Sequence, residues 1–281
     1  MRKNELLIEA NELTQIIGDE NCVLIDCRAK LDDPDWGQRE YSRGHLPRAI
    51  FADLNTQLSA PSGVGGRHPL PQRESFADLL ASWGITHDTL LVPYDSNNSV
   101  YACRFWWMAR WVGIKQVRVL NGGLKSWLSV GKGLSTEIGS QKRSRFVAET
   151  SLTRTVSAEE IQEHSHTLID ARAIERFRGE IEPIDAKAGH IPGAICRPHE
   201  SNLLIDGRFD LQHSQFNTLT ADLDIVCYCG SGVSATQNIM AILLAGMPEP
   251  ALYPGSWSEW IQDPKRPTSP YCLLYTSPSP R

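Results

Sequence analysis

The residues with the most chemistry in reach lie in one short segment, Asp224–Gly246, which reads DIVCYCGSGVSATQNIMAILLAG. An apolar run, Ile225–Tyr228, delivers Cys229 to its carboxyl end. The loop Gly230, Ser231, Gly232, Val233, Ser234 follows, and then an apolar stretch with helical character through Leu244. Two glycines let the backbone curl tightly with its N–H groups facing inward. The start of the helix adds roughly half a positive charge. A thiol in such a ring loses its proton readily, and the thiolate is the nucleophile. The same ring suits a persulfide anion, with Ser231 and Ser234 supplying hydroxyl donors. Neither the glycines nor the serines help a core strand, which argues against an inert buried thiol. Cys227, two residues earlier, reads as core. The Cys227/Cys229 pair lacks further clustered ligands, so neither a metal nor an organic cofactor is expected. A cysteine phosphatase, the nearest rival chemistry, needs an arginine six residues after its cysteine, where this chain has Ala235.

The elements that position this loop occur twice. Val23–Ile50 and Thr167–Ile195 both run from an apolar strand ending in Ile-Asp-x-Arg to a Gly-His-x-Pro-x-Ala-Ile segment. Leu90–Trp127 and Ile225–Trp260 form a second matched pair. The first copy carries extra residues between its landmarks, around Ser59–Gln72 (SAPSGVGGRHPLPQ). A period this long indicates a duplicated domain and not a solenoid. Within each copy, short apolar runs (Leu24–Asp26, Leu90–Tyr94, Val117–Leu120) alternate with helical patterns (Ser75–Trp83, Tyr101–Val112). That alternation predicts the α/β class with a mainly parallel sheet flanked by helices, and sites at the carboxyl ends of strands. The expected division is residues 1–134, a polar linker at 135–154, and a second domain at 155–270. Ser157 and Glu160 stand at capping-box spacing at the start of that second domain. The end of the chain, 271–281, continues no helical or strand pattern; it reads as a non-native or disordered tail and stays outside the fold argument.

Composition narrows the classes. The 281 residues carry 28 Lys and Arg against 33 Asp and Glu, a net charge of -5, which argues against nucleic-acid or membrane-surface partners. No apolar run approaches the roughly 20 residues of a membrane span. Charges interrupt Met1–Ala10, so a signal-peptide core is lacking and a cytoplasmic location is expected. The 7 cysteines form no regular framework, and free thiols are the expectation in such a compartment.

The ordered set of motifs resembles the tandem-domain rhodanese family of sulfurtransferases. The Cys-Gly-Ser-Gly-Val-Ser-Ala loop is most similar to that of the 3-mercaptopyruvate sulfurtransferases, where Thr stands at the position of Ser234. Gly189–Ala194 (GHIPGA) and Tyr253–Trp260 (YPGSWSEW) resemble two further family landmarks. The resemblance implies two rhodanese-like domains, with sulfur carried as a persulfide on Cys229. The first domain, with Asp95 at the cysteine position, is catalytically silent and walls the site. Gly230, Gly232, Val233 and Ser234 cradle the sulfur, and Arg176 binds an anionic donor. The second substrate arginine typical of mercaptopyruvate enzymes is missing from EIEPIDAKAG (Glu180–Gly189), where Lys187 is the available substitute. A Ser–His–Asp proton relay is implied on Ser231 and His68, with Asp53 as third member. The expected partners are a small-molecule sulfur donor and a thiol acceptor such as thioredoxin, or cyanide. Mercaptopyruvate is favoured over thiosulfate, because the Gly230–Ser231 stretch is uncharged. A non-catalytic persulfide relay module is the alternative reading. Repetition in the silent copy assigns Asp26, Arg28, His45, Asp170, Arg172 and His190 to structure.

Overall fold

The computed structural model describes residues 2–96, 98–138 and 142–269. The segment 271–281 lies outside the described residues. Among the described residues nine strands are formed: β1 (Leu7–Ile8), β2 (Cys22–Asp26), β3 (Ile50–Phe51), β4 (Leu90–Tyr94), β5 (Val119–Leu120), β6 (Thr167–Asp170), β7 (Ile195–Cys196), β8 (Ile225–Tyr228) and β9 (Ala251–Leu252). The helices of the first half are α1 (Lys3–Leu6), α2 (Ala10–Ile16), α3 (Trp36–Arg43), α4 (Arg73–Ser82), α5 (Val100–Trp111) and α6 (Gly123–Ser129). Those of the second are α7 (Ala158–Glu163), α8 (Ile174–Phe177), α9 (Ala235–Leu244) and α10 (Ser256–Trp260).

Every strand pair is parallel, as the βα alternation predicts. The first half orders its strands β3-β2-β4, and Val117 bridges Leu91 to bring in the β5–β1 pair. The second orders its strands β7-β6-β8-β9, with Thr155 bridging Leu252 at the outer edge. The two sheets therefore repeat one topology. Leu90–Tyr94 forms as expected, while Val117–Leu120 pairs as a strand only over its last two residues. Ser157 and Glu160 form the reciprocal capping box at the start of α7.

The repeated Asp-x-Arg motif is a structural clamp. Arg28 donates to both carboxylate oxygens of Asp26 and to the Gly44 carbonyl. Arg172 does the same with Asp170 and the Gly189 carbonyl. His45 stacks on Tyr41, and His190 on Phe177. Each clamp ties the end of a central strand to the Gly-His turn, burying two charges that satisfy one another.

The two halves share one apolar core, with α5 and α9 packed against each other inside it. The fully buried Trp106, Trp107 and Met108 of α5 and Ile239, Met240 and Ile242 of α9 contribute to it. These helices are apolar nearly all round because each has a sheet on one side and its twin on the other. Residues 142–154 form neither helix nor strand but lie along the first half, with Ser144 bonded to Ala81, Glu149 to Val112, and Phe146 buried. Among the described residues no helix is long and apolar enough to cross a membrane.

Candidate active site

Cys229 leaves β8 at its carboxyl end, beside a cavity of about 360 Å³ that also meets Arg67, Arg172, Arg176, Ser231 and Ser234. The residue is only 2% exposed, yet it lines this cavity. The loop is held from outside. Its amide at Cys229 donates to Ser256 Oγ, and the Cys229 and Gly230 carbonyls accept from the amides of Trp257 and Ser258. The Gly232 carbonyl accepts from Arg104, and that of Val233 from Thr236. YPGSWSEW is thus the brace of the cysteine loop. Ser256 adopts a left-handed backbone, φ 53°, an uncommon state for a residue other than glycine.

With these carbonyls turned outward, the amides of residues 230–234 have no acceptor among the described residues. The first half shows what such amides do. Asp95, at the Cys229 position, accepts from the Ser99 amide at 3.0 Å, from Tyr101 at 3.1 Å and from Ala102 at 3.3 Å. Burial pushes this carboxyl up to about 6 even though those amides pull the other way. The loop geometry therefore accepts an anion carried on its first residue.

His68 reaches across from the extra segment of the first half. Its Nδ1 lies 2.8 Å from Ser231 Oγ, so the expected pair is assembled. Burial, reinforced by Arg104 and Arg67, lowers the imidazole to about 4. It is neutral at physiological pH; because the unfolded chain binds the proton more readily, His68 costs stability as pH falls from the ordinary histidine value towards 4. Asp53 does not join it. Its carboxylate caps its own turn, accepting from the Asn55 and Thr56 amides and the Thr56 hydroxyl. The expected third member of the relay is thus engaged elsewhere, as Asp side chains commonly are at turns.

Arg176 lines the cavity, but two carboxylates hold it. Its Nη2 lies 2.8 Å from Glu182 and 3.0 Å from Asp185. Lys187 is exposed, does not line the cavity, and offers only its carbonyl, to Trp257 Nε1. Arg67, one residue before His68, lines the cavity instead. A Cβ on Gly230 would stand 2.7 Å from Arg67 Nη2 and 3.6 Å from Arg176 Nη1, so both guanidiniums overhang the loop. Arg67 is ion-paired with Asp185. Arg172 remains clamped by Asp170, yet it too faces the cavity, with Nη1 3.5 Å from Glu182. Sequence reading missed Arg67 because the adjacent histidine drew the attention. Arg178 is exposed, near Glu180.

Comparison with known proteins places this architecture. The rhodanese-like domain family matches residues 9–130 and 154–263. The chain is 42% identical over 276 residues to a probable 3-mercaptopyruvate sulfurtransferase of Pseudomonas aeruginosa, covering 94% of this chain and 97% of the other. It is 35% identical over 239 residues to a thiosulfate sulfurtransferase of Cricetulus griseus, covering 80% of each. Among solved structures, a 3-mercaptopyruvate sulfurtransferase from Leishmania major superposes with a TM-score of 0.79 at 30% identity, over 92% of this chain and 74% of that one. With its two matched segments, its repeated sheets and its single cysteine loop, the chain belongs to the rhodanese-like domain family, as a tandem-domain sulfurtransferase.

Proposed function

We propose that the enzyme takes a sulfur atom from a small anionic donor, with 3-mercaptopyruvate preferred, holds it as the sulfane sulfur of a Cys229 persulfide, and passes it to a thiol. The observation that carries this reading is the twin loop: Asp95 draws three backbone amides to an anion at the position Cys229 holds in the second copy. In the first half-reaction the Cys229 thiolate attacks the donor's sulfur. The new S–S bond forms as the donor's C–S bond breaks, and its electron pair leaves on carbon as the pyruvate enolate. The enolate then takes up a proton to give pyruvate. In the second half-reaction an acceptor thiolate attacks the outer sulfur, and the Cys229 thiolate is regenerated.

The Ser231–His68 pair favours mercaptopyruvate, because a carbon leaving group needs a proton and sulfite leaves without one. With the ring proton on Nδ1, Ser231 is free to aim its own hydroxyl proton at the cavity; with it on Nε2, Ser231 donates to the ring. One observation favours thiosulfate as the second reading: Arg67 and Arg176, though paired with Asp185 and Glu182, overhang Gly230 and bring guanidinium donors to an uncharged loop.

Steady-state kinetics with the two donors side by side separates these readings. A kcat/KM ratio above roughly ten, about 1.4 kcal/mol, names the donor. Trapping of a single added sulfur on Cys229 by mass spectrometry, with donor and no acceptor, tests the persulfide itself; absence of that adduct during turnover overturns it.

His68→Ala is expected to lower kcat with mercaptopyruvate roughly 100-fold and to leave thiosulfate turnover nearly unchanged. Because His68 is already neutral above pH 4, the wild-type profile shows no histidine limb from this residue between about pH 5 and 8. Equal rates for wild type and variant with mercaptopyruvate dismiss the relay.

A further inference from the structure

Among the described residues four arginines are buried, and three have a carboxylate of their own: Arg28 with Asp26, Arg110 with Glu249, Arg172 with Asp170. Arg104 is the exception. It sits inside α5, in the half that lacks the nucleophile, and is fully buried. Its guanidinium donates only to carbonyls: Leu58 at 3.1 Å, His68 at 3.1 Å, Pro69 at 3.4 Å and, across the domain boundary, Gly232 at 3.1 Å. No carboxylate pairs with it among the described residues. The matching position in the second copy is the neutral Asn238, so duplication of the fold does not require the charge.

A buried cation without a counter-ion is costly, so its presence here calls for an anion nearby that it can stabilise. The Gly232 contact places this charge directly behind the cysteine loop. Burial pulls the guanidinium down to about 10, still charged at neutral pH, and Cys229 is the neighbour whose negative charge opposes that fall. The other charges facing the sulfur are largely spent. Arg67 and Arg176 are held by Asp185 and Glu182, and Arg172 by Asp170. His68 is neutral, and His199 and Glu200, which also line the cavity, offer no free cation: burial lowers His199 and Glu200 is acidic.

We propose that Arg104 is a positioning residue of the sulfur-transfer site: its uncompensated charge is the counter-charge that keeps Cys229 and its persulfide anionic, while its bond to Gly232 fixes the loop that holds them. This rests on the reading of Cys229 as the sulfur-carrying anion, and it gives the silent domain an electrostatic task in addition to walling the cavity.

The test is the pH profile of iodoacetamide alkylation at Cys229, read peptide by peptide by mass spectrometry, in wild type, Arg104→Lys and Arg104→Gln, with circular dichroism as the check on folding. Arg104→Gln is expected to move the profile about one pH unit to the alkaline side, with roughly tenfold slower alkylation at neutral pH. Arg104→Lys, which keeps the charge but not the fork, is expected to lose melting temperature and retain the wild-type profile. A folded Arg104→Gln with an unchanged profile overturns the proposal. So does an Arg104→Lys profile displaced towards alkaline pH by a full unit, and this outcome is readable even if the glutamine variant does not fold. Failure of the wild type to acquire sulfur from either donor, alongside the expected shift, overturns the sulfur-carrying reading and leaves the electrostatic coupling standing.

Discussion

Cys229→Ser is expected to abolish sulfur transfer to every acceptor, with a loss of roughly 10⁴-fold or more, and to leave the fold intact. The side chain is nearly isosteric, and its neighbours are bonded through the main chain: the Cys229 amide to Ser256 Oγ and its carbonyl to Trp257. None of those bonds involves the sulfur. A hydroxyl in the same ring is a far poorer nucleophile than a thiolate and cannot hold a transferable outer sulfur, so the covalent route is lost outright. Stability should change by less than about 1 kcal/mol, as for a conservative substitution that breaks no network. The decisive readings are turnover with both donors and a melting curve. Residual turnover within tenfold of wild type would assign the chemistry to another group, and a collapsed melting curve would make Cys229 structural.

Gly232→Ala should be nearly as damaging, for a mechanical reason. Gly232 has φ of 74°, and a Cβ there would lie 2.2 Å from the carbonyl oxygen of Pro254, a backbone atom in the brace that holds the loop. Neither segment yields cheaply, because the brace is tied to the Cys229 and Gly230 carbonyls and Gly232 to Arg104. The combined strain and clash are expected to cost about 4 kcal/mol and to rotate the loop amides away from the sulfur. A lowered melting temperature together with loss of persulfide formation is the expected pair of results. A variant with wild-type stability and turnover would mean that the loop relaxes freely and that its curl is not what cradles the anion.

Much of this was legible in the chain itself, for identifiable reasons. The duplication shows because both copies must close the same Asp-Arg clamp on the same Gly-His turn, and such clamps tolerate few residue types. The cysteine loop shows because glycines, hydroxyls and a thiol have no reason to follow a core strand. The Ser231–His68 pair came only through the resemblance to mercaptopyruvate enzymes; the fold brings the two side chains within 2.8 Å. Asp53 was not separable from any other turn aspartate, since the same residue type serves a local Asx turn and a distant histidine equally well. Arg67 and Arg104 were hidden for different reasons. Arg67 acts across a sequence gap of more than a hundred residues, which a linear reading does not bridge. Arg104 looks like an ordinary helical arginine until its burial among carbonyls is visible; the only trace in the sequence is that its counterpart is Asn238. The carboxylates Glu182 and Asp185, which occupy Arg176, are likewise products of folding and not of spacing.

The aspartate in the first loop has a consequence for rigidity. Its carboxylate is a guest that never departs, so that half of the molecule is permanently stapled at its switch from strand to helix. The loop of Cys229 carries no carboxylate, and on the proposed cycle its amides gain a longer-reaching anion only while the outer sulfur or a donor is present. A species that binds the native form alone stabilises it, so on the proposed cycle the first loop is expected to stay shut and the second to be loosest in the interval after one sulfur has gone and before the next arrives.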